Sequence, residues 1–189
     1  MGVKDLLKAL KEGASRQESF SRGDGLLLID GGFMLHKSLS RSGVACALYA
    51  GDTRGLVNAT CDFVKAFQDA GWTVFVVFDG IAPPAKAGTN DERRSRRQSA
   101  ESRLAEATTQ QAQDKLMVQC VHFDARTVEK VSRAISARCQ VETMSAPFEG
   151  DSQFVYLEEQ MGPRFHRCYI HGNDSDLVVL GAKNLAWRI

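Results

Sequence analysis

Two apolar runs that each end in an aspartate constrain the fold of this chain most tightly. Leu26-Leu27-Leu28-Ile29-Asp30 and Val74-Phe75-Val76-Val77-Phe78-Asp79 contain no polar residue before the acid, and a glycine follows each one. A strand with water on one face alternates apolar and polar residues. A continuous run is needed where both faces are covered, as in a parallel sheet with helices on either side. The runs therefore predict two parallel strands that deliver Asp30 and Asp79 to the same carboxyl edge of one sheet.

The segments between and after them fit that frame. Phe33 to Arg41 reads as helical, and Arg54 to Ala70 is a stronger helix with Val57, Cys61, Val64 and Phe67 on one face, ended by Gly71. Helical spacing returns from Thr127 to Ala137. Gln140 to Met144 is a third strand, a helix starts near Glu149, and Arg167 to His171 is a fourth strand. The apolar run Leu177 to Leu180 and one more short strand follow. Gly2 to Leu10 forms a short amphipathic docking helix. Strands and helices in alternation predict an α/β fold with a doubly wound, mostly parallel sheet flanked by helices.

Two further pairs of acids arrive with identical spacing, Glu149-Gly150-Asp151 and Asp174-Ser175-Asp176, each at a change of secondary structure. Gathered carboxylates repel one another and raise their own pKa values, so such a cluster is tolerable mainly beside hard divalent cations. In a doubly wound sheet Asp30, Asp79, Glu149, Asp151, Asp174 and Asp176 converge. Six acids suffice for two magnesium ions, with manganese as a substitute, and two cations about 3.5–4 Å apart are the usual clamp for hydrolysis of a phosphodiester. One of Glu149 and Asp151 has a plainer reading as a first-turn acid favoured by the helix dipole.

From Ile81 to about Arg126 the composition changes. Apolar residues thin out after Ala82-Pro83-Pro84, and Arg93, Arg94, Arg96, Arg97 and Arg103 follow. A mobile loop, a nuclear import signal and a solvated helix face all fit this composition, and so does an arm that binds phosphates. Beside an acid cluster, the last of these reads as a nuclease.

Other chemistries lack their motifs. The sequence has no G-x-x-x-x-G-K-[ST], no G-x-G-x-x-G and no G-x-S-x-G, which removes the usual phosphate loops and the serine-hydrolase elbow. His122 and His166 have no partner at zinc spacing, and His171 is placed to orient the turn before Asp174. The five cysteines are scattered without a C-x-x-C pair, as expected of reduced core residues in an intracellular protein. No segment approaches the roughly 20 apolar residues of a membrane helix, so no membrane partner is expected. With 189 residues, 43% of them apolar, and a net charge of +1, the chain suits one soluble domain, and only local charge bears on its partners.

Five stretches in order carry a resemblance: Met1-Gly2-Val3, Ile29-Asp30 followed by Leu35-His36-Lys37, Val77-Phe78-Asp79-Gly80, Ala146-Pro147-Phe148-Glu149-Gly150-Asp151, and Asn173-Asp174-Ser175-Asp176-Leu177. Together they resemble the XPG and flap-endonuclease family of structure-specific 5′ nucleases, nearest its exonuclease-one branch. The resemblance implies that the six acids are metal ligands and that Lys86 and Arg93, at the base of a helical arch, contact the scissile phosphate. It implies further that His36 stacks on a terminal base and that Gly2 lies close to the site, with Arg94, Arg96 and Arg97 along the DNA. The implied function is a metal-dependent 5′–3′ exonuclease or flap endonuclease of DNA repair or replication in the nucleus, acting on 5′ ends, flaps or gaps beside repair or replication proteins.

On that reading residues 1–189 form one catalytic domain. Its parts are an amino-terminal nuclease motif (1–80), a basic arch insertion (81–126) and an internal nuclease motif (127–189). The family's helix-hairpin-helix module and seventh carboxylate are expected to be absent. Two rival readings follow, a truncated member that binds DNA without turning it over, and a PIN-like ribonuclease with the same acidic α/β architecture.

Overall fold

The computed structural model describes residues 25–174, 176–183 and 185–186. The amino-terminal helix expected over Gly2 to Leu10 lies outside these. Five strands form one sheet: β1 (Leu26–Asp30), β2 (Thr73–Phe78), β3 (Glu142–Ser145), β4 (Cys168–His171) and β5 (Leu185–Ala186). Their order is β3-β2-β1-β4-β5 and every pairing is parallel. The chain first winds one way from β1 to β3, then returns to the other side of β1 for β4. In such a sheet the crevice beyond the carboxyl ends of the strands flanking the reversal, here β1 and β4, is where ligands settle.

The helices in chain order are α1 (Gly31–Leu39), α2 (Val44–Tyr49), α3 (Arg54–Asp69), α4 (Ala87–Glu106), α5 (Gln110–Cys120), α6 (Ala125–Cys139), α7 (Gly150–Met161) and α8 (Asp176–Val179). Two compact units emerge. The first is drawn from Met1–Phe33, Lys65–Gly80 and Glu142–Ile189, and the second from Met34–Val64 and Ile81–Val141.

In the first unit the sheet register explains the continuous apolar runs. Leu28 stands between Phe75 of β2 and Ile170 of β4, and all three join a core with Leu26, Val77, Phe154 and Leu157. Phe154 and Leu157 come from α7, which therefore covers the face carrying the even-numbered residues of β1. Leu27 and Ile29 point the other way and are equally buried. Near that second face lie edge-on ring contacts of Phe33 and Phe67 with His171, and of Trp72 with Tyr169. His171 is 2% exposed, a core residue at the end of β4.

The second unit is helical. In α6, Val131, Ile135 and Cys139 recur every four residues and are buried. The same helix is tied to α3 by Arg138, which donates to Asn58 Oδ1 at 3.0 Å, and by Cys139 Sγ, which donates to the Cys61 carbonyl. The basic segment, which its composition left open between loop and helix, is helical over α4 and again over α5. In α4 only Ala100 is buried, so there is no apolar stripe for a periodicity argument to detect. Its helix-forming Ala, Glu, Arg and Gln, and pairs such as Arg96 with Glu92 at 3.6 Å, favour the helix locally instead. Thr109 and Asp124 cap α5 and α6 by accepting from Ala112 N and Thr127 N. All five cysteines are free and only Cys46 is exposed. Among the described residues no helix is long and apolar enough to cross a membrane.

Leu28 has no solvent exposure and sits on the central strand. Leu28→Ala is expected to cost about 2–5 kcal/mol of stability, measured as a lowered urea midpoint at unchanged slope.

Candidate metal centre

All six acids singled out by the sequence belong to the first unit. Asp30 is the last residue of β1, and α1 begins at the next residue, two earlier than the helical pattern suggests. Its carboxylate caps that helix, accepting from Phe33 N at 3.1 Å through Oδ1. Because Asp30 has the same parity as Leu26 and Leu28, it projects on the face covered by α7. Glu149 is the residue before α7 and Asp151 lies in its first turn. This places the second acid pair on the side to which Asp30 points.

Asp79 follows β2 directly and accepts from Gly150 N at 2.7 Å. That bond fixes the amino terminus of α7 against the end of β2. Gly150 keeps this approach uncrowded, since a Cβ there would stand 3.2 Å from Asp79 Oδ1 and 3.3 Å from the Phe154 ring. Gly172, after β4, similarly leaves room for the Asp30 carboxylate. Asp174 accepts from Asp176 N at 2.9 Å, a local turn that starts α8.

Asp151, Asp174 and Asp176 bring one carboxylate oxygen each to within 4.8 Å of one another. The others are near enough to be felt. Burial pushes the pKa of Asp30 up to about 6, with Asp79 and Asp174 adding to the rise and backbone bonds from Phe33 and Gly32 opposing it. Asp151 is pushed up to about 7 by burial, then by Asp174, Asp79, Asp30 and Glu149. A compact set of hard oxygen donors that raise one another's pKa values fits hard divalent cations.

The basic candidates lie in the second unit. Arg93, Arg94 and Arg96 are exposed along α4, while Arg97 is half-buried and contacts His122 Nδ1 at 3.4 Å. Lys86 is half-buried just before α4. His36 is exposed on α1 with its ring edge-on to Phe123, and burial followed by the charge of Arg93 lowers its pKa. Gly2 lies outside the described residues.

The family model of the XPG N-terminal domain matches residues 1–100. The chain belongs to that family. Two relatives align over the whole length of the chain. Exodeoxyribonuclease 1 of Schizosaccharomyces pombe is 29% identical over 197 residues, covering 100% of this chain and 33% of that protein. Exodeoxyribonuclease 1 of Saccharomyces cerevisiae is 30% identical over 196 residues, covering 100% of this chain and 26% of that protein. The chain thus spans a third or less of the length of these relatives. Among solved structures, the catalytic core of Rad2 in complex with DNA substrate superposes over 97% of this chain and 48% of that chain. The TM-score is 0.65 at 17% identity, a likeness of fold.

Sequence reasoning passed over the glycines beside the acids. Gly150 and Gly172 each follow or precede a candidate acid closely, and that adjacency was the available signal. The backbone bonds from Phe33 and Gly150 to Asp30 and Asp79 left no mark in the sequence.

Asp30 and Asp151 keep their protons in the folded chain at pH values where the unfolded chain has released them. Metal-free protein therefore loses stability as pH rises from about 4 to about 7, and loses no more above that. Asp151→Asn removes its share of this loss. Without divalent ions at pH 8, the variant is expected to exceed wild type by on the order of 1 kcal/mol, about 2–4 °C in melting temperature, and to match it near pH 4. A variant less stable than wild type at both pH values contradicts the electrostatic account.

Proposed function

We propose that this chain carries the metal-dependent catalytic centre of a structure-specific 5′ nuclease, an exonuclease or flap endonuclease that hydrolyses DNA phosphodiesters. The observation that carries this reading is the convergence of six carboxylates beyond the ends of β1, β2 and β4 in a chain of the XPG family. Membership and fold alone support a kinship; the clustered acids supply a reason for chemistry. The relatives named exodeoxyribonuclease, and the Rad2 core described with DNA substrate, support DNA rather than RNA as the polymer.

Asp151, Asp174 and Asp176 would hold one cation, and Asp30, Asp79 and Glu149 would complete a site for a second; magnesium is proposed, with manganese as a substitute. Bound there, the cations would supply positive charge against a phosphate under attack by water. The chain's own residues set up the rest. Phe33 N and Gly150 N hold the Asp30 and Asp79 carboxylates in fixed directions. Because the pKa values of Asp30 and Asp151 are pushed up to about 6 and about 7, loading at lower pH displaces their protons, and affinity falls as the pH drops below about 7.

Lys86 and Arg93 are proposed to stabilise charge on the scissile phosphate. Arg94, Arg96 and Arg97 would track the DNA backbone, contributing salt-sensitive affinity without base readout. His36 would stack on a terminal base and Gly2 would lie near the 5′ end. The domain division given above, with 81–126 as the arch, belongs to the same proposal. So do a role in repair or replication in the nucleus and contacts with proteins of those processes.

Purified protein with magnesium is expected to cut a labelled 5′-flap or recessed duplex, and Asp79→Ala and Asp174→Ala are each expected to lower the rate at least about 100-fold. Arg93→Ala should slow cutting by about 10²-fold while leaving magnesium binding intact. Undiminished cutting by both aspartate variants would sink the assignment. Cleavage of single-stranded RNA in preference to branched DNA would instead favour a PIN-like ribonuclease.

A further inference from the structure

Phe148 stands in the loop between β3 and α7, one residue before Glu149. The residue is 59% exposed, and the other phenylalanines among the described residues are buried or half-buried. Elsewhere phenylalanine rings are engaged: Phe33 and Phe67 meet His171, Phe123 meets His36, and Phe78 and Phe154 are core. The Phe148 ring meets no other aromatic ring among the described residues.

The loop that presents this ring is fastened on both sides. Ala146 N donates to the Phe78 carbonyl at 2.8 Å, and Gly80 N donates to the carbonyl of Phe148 itself at 2.6 Å. Gly150 N donates to Asp79 Oδ1 at 2.7 Å. A Cβ on Gly80 would strike the Ala146 carbonyl, so the close approach of the two segments depends on that glycine. Phe148 thus presents an apolar ring to water one residue from Glu149, its backbone pinned by the segment that carries Asp79. A ring this exposed contributes little to the core, and its backbone could be held as well with a polar side chain.

The neighbouring chemistry narrows its use. A side chain at the edge of a centre that handles a polyanion can aid binding by charge or by contact with the uncharged parts of the substrate. A phenyl ring offers only the second, and the uncharged flat surfaces of a nucleic acid are its bases. We infer that Phe148 is a positioning residue that stacks on the nucleobase next to the phosphate being cut. This rests on the nuclease reading and adds a second anchor to it, one independent of salt and tolerant of base identity.

The experiment compares wild type, Phe148→Ala and Phe148→Trp on a 5′-flap duplex with magnesium, alongside a substrate series with one abasic nucleotide moved across the cleavage position. Phe148→Ala is expected to raise KM about 5- to 150-fold with a smaller change in kcat and an unchanged melting temperature, and Phe148→Trp to restore KM. At one abasic position wild type should lose as much as the alanine variant loses on intact DNA, and the variant should lose no more. If wild type cuts the flap and Phe148→Ala has the same KM, or its defect is equal on every abasic substrate, the inference falls while the nuclease reading stands; the ring then serves another contact, such as a protein partner. If wild type neither binds nor cuts flap DNA, both fall.

Discussion

Repulsion among carboxylates held at one edge of a buried sheet is the constraint on which the rest of this structure depends. Left to itself a chain with these acids would spread them apart. Here Asp30 is fixed by the central strand, Asp79 by its neighbour, Glu149 and Asp151 by the start of α7, and Asp174 and Asp176 by the turn after β4. The apolar runs make this possible. β1 and β2 are buried on both faces, so Asp30 and Asp79 are delivered with little freedom to retreat, and the cost of the clustering appears as the raised pKa values of Asp30 and Asp151. Strain kept at one place in an otherwise well-satisfied fold is the usual mark of a site.

Backbone groups refine what the strands deliver. Phe33 N and Gly150 N each donate to an acid, which orients the carboxylate and slightly relieves it without neutralising it. Gly80 lets its segment close on the Ala146 carbonyl to a distance that a Cβ would prevent, and Gly150 and Gly172 leave the Asp79 and Asp30 side chains uncrowded. The same closeness that concentrates the acids also exposes Phe148 at their rim. Charge, orientation and an apolar contact surface are thus produced by one set of short approaches around the ends of β1 and β2.

Much of this was legible in the sequence because burial on both faces leaves so plain a pattern. The runs ending at Asp30 and Asp79 identified two parallel strands, and the amphipathic spacing in α3 and α6 identified two helices within a few residues of their bounds. The repeated acid-x-acid spacing pointed to the other four of the six acids that the fold gathers. The segment from Ile81 to Arg126 was not decided, for a physical reason: α4 buries only Ala100, so its helix is held by local propensity and side-chain pairs rather than by an apolar face. Nor did the sequence indicate that α1 starts at Gly31, because that start depends on the Asp30 carboxylate capping Phe33 N. The edge-on contact of His36 with Phe123 also left no mark in the sequence. Phe148, exposed beside these acids, was hidden in a motif whose acids drew attention first.

The central claim is that these six acids form a two-cation centre, and counting bound manganese tests it most directly. Electron paramagnetic resonance of the free ion, during titration of the purified chain at pH 8, measures how many ions each chain removes from solution. The account predicts two saturable sites, weakened as the pH falls below about 6, where Asp30 and Asp151 take up protons, and competed by magnesium. A chain that binds no manganese at pH 8, or binds it with the same affinity at pH 5 and pH 8, would contradict it.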